Sequence, residues 1–224
     1  MDKYSILKQY YGHSAFRAGQ EALIDAILSG RDALCVMPTG GGKSLCYQIP
    51  ALLLPGITLV VSPLISLMKD QVAALKSAGV PAAYINSSLT GEQIRTVYAR
   101  TRKGAYKLIY VAPERLETNS FLSLMQEMDV SFLAVDEAHC ISQWGQDFRP
   151  SYLGIVDFIN ALPRRPIVAA YTATATKQVQ SDILRLLQLQ SPYRIVTGFD
   201  RPNLYFDVRR PKNKFSALAA LIDE

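Results

Sequence analysis

Short apolar runs alternate with longer segments of helical periodicity along most of the chain. Apolar runs bounded by turn residues are typical of strands buried on both faces, and they predict strands at 33–36, 57–61, 82–85, 107–111, 130–135, 167–171 and 194–196. Apolar positions three or four residues apart predict helices at 4–11, 22–28, 43–54, 65–78, 90–103, 119–128, 151–161 and 176–188. This alternation predicts an α/β fold of three layers, in which helices cover both faces of a parallel sheet.

Composition limits the size and the setting of this fold. With 224 residues, 49% of them hydrophobic, the chain can bury the core of one domain, followed by a tail. The net charge of +5 permits a polyanionic partner without establishing one. The three cysteines suggest buried reduced thiols, not a disulfide framework or a zinc site. No leader is recognisable and no apolar run approaches the roughly 20 residues that span a bilayer, so we expect a cytoplasmic protein without membrane contact.

A glycine-rich stretch follows the first apolar strand. Residues 37–44 read Met-Pro-Thr-Gly-Gly-Gly-Lys-Ser, and the glycines let backbone N–H groups approach phosphate oxygens at the start of a helix. We therefore predict a triphosphate site in which Lys43 reaches the β- and γ-phosphates and Ser44 binds Mg²⁺. The alternative is a turn that only caps a helix, and Met37 stands where the general motif has glycine. The predicted phosphate-binding residues are Thr39, Gly40, Gly41, Gly42, Lys43 and Ser44.

Two acids come directly after the apolar strand 130–135. A carboxylate beside a buried strand loses hydration, and this loss costs free energy unless a cation compensates the charge. Asp136 is therefore predicted to hold Mg²⁺ through the water shell of the ion. Glu137 is predicted to orient or deprotonate the attacking water. Together with Lys43, these acids are the predicted catalytic residues. A solvated acidic turn is the alternative.

A polar cluster precedes the second predicted helix. The Gln20 amide can pair with the donor and acceptor edge of adenine, while Arg17 or His13 can lie against the ring face, which would select ATP. The same residues are equally consistent with ordinary chemistry at a helix start.

Further polar turns follow other strands, and ligands of parallel sheets bind at this carboxyl edge. His139 is predicted to bond to Thr172 or Thr174 across the edge and to report the nucleotide state. The loop 140–150 carries Trp144, Phe148 and Arg149, whose flat side chains can stack on unpaired bases. A core role for either aromatic residue is the alternative. Further residues expected to contact the nucleic-acid strand lie at two of these strand ends and on the helix 65–78, and they are Ser62, Pro63, Lys69, Pro113, Glu114 and Arg115.

Seven blocks of this chain, in order and spacing, resemble the first RecA-like domain of bacterial RecQ DNA helicases. The blocks are Tyr11-Gly12 with Phe16 to Gln20, 37–44, 62–71, 112–116, 136–150, 172–174 and 199–203. The resemblance implies a P-loop NTPase domain of RecA-like fold, divided into an N-terminal helix and adenine-recognition segment (1–23), the ATP-binding domain (24–192), and a last strand with the start of a linker (193–224).

The resemblance also implies a function and partners. A relative of these helicases would use ATP and Mg²⁺ to move 3′ to 5′ on single-stranded and forked DNA in recombination, repair and replication. It would act as a monomer and meet a single-stranded-DNA-binding protein in its full-length context. A second RecA-like domain with an arginine finger, and zinc-binding and winged-helix regions, are expected outside this chain. We therefore expect weak ATP hydrolysis and no unwinding by these residues alone.

Two other functions stay open from the sequence. One is a module that binds nucleotide and single-stranded DNA without motor activity, and the other is a helicase-type ATPase directed to RNA. Acids of the Asp136-Glu137 type are common to many helicases, including RNA-directed ones. The aromatic block 140–150 is far more specific to the RecQ resemblance, and it therefore argues against RNA.

Overall fold

A seven-stranded parallel sheet forms the centre of the protein. The computed structural model describes residues 1–198, 204–205, 207–208 and 210–222. The strands are β1 (Ala33–Val36), β2 (Ile57–Val61), β3 (Ala82–Ile85), β4 (Leu108–Val111), β5 (Val130–Val135), β6 (Ile167–Thr172) and β7 (Tyr193–Val196). Their order across the sheet is β3-β4-β2-β5-β6-β1-β7, and the neighbouring strands pair in parallel.

Helices cover both faces of this sheet. The helices of the described residues are α1 (Lys3–Tyr11), α2 (Gln20–Leu28), α3 (Lys43–Leu53), α4 (Ile65–Ser77), α5 (Gly91–Arg102), α6 (Pro113–Leu116), α7 (Asn119–Glu127), α8 (Ile155–Ala161), α9 (Lys177–Leu186) and α10 (Lys214–Ile222), of which α10 buries none of its described residues. Along β1 the side chains alternate between two cores. Ala33 and Cys35 pack with α2, α3 and α4, while Leu34 and Val36 pack in the core that holds α7, α8 and α9. This double burial explains why the strands are apolar throughout.

The predicted three-layer α/β fold is confirmed, and one predicted helix begins in the wrong place. The segment predicted as a helix over 151–161 is a 3₁₀ turn at Pro150–Tyr152 followed by α8 from Ile155. Buried Tyr152 explains the interruption, because its hydroxyl donates to the Asp136 carbonyl and holds the turn against the sheet edge. The short helix α6 and the helix α10 were not predicted.

The carboxyl ends of four neighbouring strands gather the motifs on one edge. β2, β5, β6 and β1 lie side by side and end at Val61, Val135, Thr172 and Val36. The predicted block 199–203 lies outside the described residues. Among the helices that the structure describes, none combines the length and the apolar character needed to cross a membrane.

Candidate nucleotide-binding site and strand-end loops

The glycine loop joins the end of β1 to the start of α3. The Met37 N–H donates to the Thr172 carbonyl at 3.0 Å, so the loop leaves the sheet fixed to β6. Gly42 has a φ of 85°, which a residue with a side chain rarely adopts, and α3 begins at the next residue. The loop therefore presents backbone N–H groups and the positive end of the α3 dipole to the same space.

Met37 fills the space beneath the loop. Its side chain is buried, and a Cβ atom added to Gly41 would lie 2.6 Å from the Met37 Cγ and 2.9 Å from the Pro38 oxygen. The Met37 departure from the general motif is thus accommodated because Gly41 has no side chain.

The Gln20 amide is bonded within the protein at both ends. Its Oε1 accepts from the Arg17 N–H at 2.8 Å, and its Nε2 donates to the Gly42 carbonyl at 3.1 Å and to the Gly41 carbonyl at 3.3 Å. The Arg17 guanidinium donates to the Gly40 carbonyl. These bonds are consistent with the alternative role at a helix start, and they also tie the start of α2 to the phosphate loop. Adenine recognition by Gln20, Arg17 and exposed His13 therefore stays a prediction.

Asp136 is a buried carboxylate with little compensation. Asp136 is 6% exposed. Within the described part of the chain, its carboxylate accepts a hydrogen bond from the Glu137 N–H at 3.0 Å. Burial and, second, the Glu137 charge raise the pKa of Asp136 to about 6, and the Lys43 ammonium offsets part of that rise. A cation beside this carboxylate would remove the cost of its charge.

Glu137 and His139 connect the acids to β6. Glu137 has a φ of 46°, in the left-handed region that non-glycine residues occupy at a cost. The His139 Nδ1 lies 2.9 Å from the Thr172 Oγ1 and 3.3 Å from the Glu137 Oε2. The predicted contact between His139 and Thr172 is therefore present. Because the Thr172 hydroxyl donates its proton to the Thr174 carbonyl, it accepts from the His139 Nδ1–H.

The loop 140–150 projects from this edge and presents an aromatic side chain to solvent. Trp144 is 74% exposed, which excludes a core role for it, whereas Phe148 is half-buried. The Arg149 N–H donates to the Cys140 carbonyl at 2.9 Å and closes the loop. The loop thus has a fixed base and an exposed tip.

The structure links this loop to two of the predicted strand-end turns. The Arg149 guanidinium donates to the Pro63 carbonyl at 3.2 Å, and Ser151, just after the loop, donates to Glu114 at 3.1 Å. Lys69 is exposed on α4, whereas the Ser62 side chain is buried. Of the other predicted contacts, Pro113 is buried, Arg115 is half-buried and Thr174 is exposed.

One cleft of about 420 Å³ brings the predicted nucleotide residues together. It is lined by His13, Arg17, Gln20, Thr39, Gly40, Gly42, Lys43, Ser44, Asp136 and Glu137, whereas Gly41 and the predicted DNA contacts are not among its lining residues. Tyr47, Leu67 and Gln71 also line the cleft and were not predicted as site residues, although Leu67 and Gln71 lie in the block 62–71. Tyr47 and Leu67 belong to ordinary apolar helix faces, so their exposure to the site depends on how α3 and α4 pack.

A glycine loop at a helix start, facing a buried carboxylate two strands away, defines a P-loop NTPase domain of RecA-like fold. Residues 17–182 match the DEAD/DEAH box helicases. The chain belongs to this family.

Individual relatives sharpen the comparison. The chain is 50% identical over 211 residues to the ATP-dependent DNA helicase RecQ of Bacillus subtilis, a match that covers 94% of this chain and 36% of that protein. It is 49% identical over 218 residues to the ATP-dependent DNA helicase RecQ of Haemophilus influenzae, with 97% of this chain and 35% of that protein covered. The resemblance to RecQ helicases is confirmed, and the chain spans about a third of the length of these relatives.

A solved structure agrees on the fold. The Pyrococcus furiosus Hef helicase domain superposes with a TM-score of 0.62 at 21% identity, over 80% of this chain and 38% of that one. At this identity the likeness concerns the fold alone.

Proposed function

We propose that this chain is the first motor domain of a RecQ-type ATP-dependent DNA helicase, which binds and hydrolyses ATP and contacts single-stranded DNA. The observation that carries the proposal is the continuous connection from the cleft to the aromatic loop. Glu137 lines the cleft, His139 contacts both Glu137 and Thr172, and the loop with exposed Trp144 begins at the next residue.

The cleft residues divide the work of phosphate binding. The loop N–H groups and the α3 start favour phosphate oxygens, and Lys43 adds a positive charge that stabilises the negative charge built up during phosphoryl transfer. Because Gly42 needs a positive φ and has the Gln20 amide against it, the loop conformation is set before nucleotide arrives.

Mg²⁺ fits the residues present. Asp136 offers a buried carboxylate whose charge is poorly compensated, and Ser44 offers a hydroxyl in the same cleft. Magnesium sites of this kind use one or two protein oxygens together with phosphates and water. When bound, Mg²⁺ would neutralise charge on the phosphates.

Glu137 is the proposed base or orienting group for the attacking water. Its backbone is held in an uncommon conformation and its carboxylate lies 3.3 Å from the His139 Nδ1. His139 thus lies in contact with Glu137 and directly before the loop 140–150, which supports a path between the loop and hydrolysis.

The features of the whole protein are also proposals. They are 3′ to 5′ movement on single-stranded and forked DNA, action as a monomer with a single-stranded-DNA-binding protein, and a place at the bacterial nucleoid in the cytoplasm. The RecQ relatives, named as DNA helicases, support DNA as the substrate.

Single-turnover ATP hydrolysis with and without single-stranded DNA tests this function. We expect DNA to stimulate the chain, and Trp144→Ala to lose about tenfold of the DNA response with basal turnover kept, since stacking contributes about 1–3 kcal/mol per base. Phe215→Ala, which removes an aromatic residue 81% exposed on α10, is the matched control and should behave as wild type. Equal stimulation in wild type and Trp144→Ala would refute the coupling role, and stronger activation by RNA would refute the DNA preference.

A further inference from the structure

A buried hydrogen bond fixes the aromatic loop to α9. The Ser142 hydroxyl, fully buried, donates to the Asp182 Oδ2 at 2.7 Å. The Ser142 Oγ itself accepts from the Trp144 N–H at 3.2 Å. Ser142 therefore links a carboxylate on α9 to the backbone of the exposed tryptophan.

Asp182 is held in place for this contact. It is 8% exposed on α9, on the side that packs Val179 and Ile183 into the core, and its other oxygen accepts from Arg185 at 3.0 Å. A carboxylate in such a position needs hydrogen bonds to offset the loss of water. Ser142 supplies one of these hydrogen bonds and Arg185 supplies another, so both carboxylate oxygens of Asp182 are bonded.

Residues of β6 and α9 form hydrogen bonds with the loop 140–150 and with the residue before it. Thr172, at the end of β6, bonds to His139 just before the loop, and Asp182 bonds to Ser142 inside it. Beyond Ser142 the chain turns at once, because the Gly145 N–H donates to the Ser142 carbonyl at 2.9 Å. The Trp144 backbone is thus set by the contact that Asp182 makes.

We propose that Asp182 is a positioning residue that holds Trp144 ready for single-stranded DNA through Ser142. Asp182 does not touch the nucleotide cleft, and its role goes beyond the residues predicted to contact DNA. The inference deepens the proposed function and rests on it only where DNA binding is measured.

Trp144 is the only tryptophan in the chain, so intrinsic fluorescence reports this loop directly. In the absence of DNA, Ser142→Ala and Asp182→Ala should each lower the tryptophan anisotropy by roughly a third, as the loop passes from rigid to flexible. Asp182→Asn keeps an acceptor oxygen and should restore the wild-type value. Ser181→Ala on the exposed side of α9 and Asp157→Asn on α8 are matched controls and should change nothing.

The second measurement is binding of an oligothymidylate of about 20 nucleotides, longer than one binding site. Ser142→Ala and Asp182→Ala should raise the dissociation constant by about tenfold, because binding must then supply the free energy that the hydrogen bond contributed to ordering the loop. The melting temperature shows that the variants fold. Wild-type anisotropy in both alanine variants would overturn the proposal. If wild type itself fails to bind the oligonucleotide, the DNA-binding function falls, while the anisotropy still decides whether Asp182 positions the loop.

Discussion

Two buried aspartates at opposite edges of the sheet have opposite surroundings. Asp32, just before β1 at the amino edge, is 3% exposed and accepts from Arg165, the Val168 N–H and the Gln190 N–H at 2.6–3.1 Å. Asp136, just after β5 at the carboxyl edge, is 6% exposed and accepts from the Glu137 N–H at 3.0 Å. Similar burial is therefore compensated within the protein at one edge and left largely uncompensated at the other.

The difference separates a structural role from a functional one. A carboxylate bonded by a guanidinium and two backbone N–H groups stabilises the fold and has little left to offer a ligand. A carboxylate that is desolvated without such partners costs stability, and proteins retain such costs mainly at functional sites. Asp32 therefore joins β1 to β6, whereas Asp136 is the carboxylate that we propose binds the cation beside the nucleotide.

The largest expected effect is on catalysis at the carboxyl edge. Asp136→Asn should lower ATP hydrolysis by about a hundredfold to a thousandfold, because a neutral amide cannot compensate a cation in this site. The free energy of unfolding should stay the same or rise, since an uncompensated charge is removed. Hydrolysis assays and denaturant titration on the same preparation check both. A large loss of stability would show that Asp136 is structural.

The opposite result is expected at the amino edge. Asp32→Asn should lower the free energy of unfolding by about 2–4 kcal/mol. Arg165 loses its charged partner, and the NH₂ group of the asparagine replaces an oxygen that accepted from N–H donors. Hydrolysis per folded molecule should be unchanged at a temperature where the variant is folded. Loss of activity in folded protein would mean that the two edges are coupled.

The pH dependence of stability gives a smaller effect. Since the pKa of Asp136 is raised from 3.8 to about 6, the folded protein binds a proton that the unfolded chain releases between about pH 4 and pH 6. Wild type should therefore lose about 2–3 kcal/mol relative to Asp136→Asn as pH rises through this window, with no further change above it. Unfolding is measured without nucleotide or Mg²⁺. A difference that does not vary with pH would contradict the buried charge.

The two aspartates also show what the sequence can reveal. Asp136 was predictable because it directly follows an apolar strand and lies next to Glu137. Neighbouring residues in the sequence therefore indicated that it lies at the carboxyl end of a buried strand. Asp32 follows Gly30-Arg31 and looks like part of a solvated turn, because its partners Arg165, Val168 and Gln190 are 133 to 158 positions away. The strands and motif turns were predictable from local patterns, whereas the bonds of Gln20 and the Ser142 contact with Asp182 depend on packing.

The geometry of the Asp32 contact gives the smallest effect and the finest test. Arg165→Lys keeps the positive charge but loses the fork that reaches both carboxylate oxygens, so the free energy of unfolding should fall by about 1 kcal/mol. Arg164→Lys is the neighbouring control, because Arg164 is 67% exposed and its ion pair with Asp129 lies on the surface, where such pairs contribute little. Denaturant titration of both variants compares them. Equal losses would mean that the number of charges matters and the bidentate geometry does not, whereas a loss confined to Arg165→Lys would show that Asp32 is stabilised by directed hydrogen bonds of the kind that Asp136 lacks.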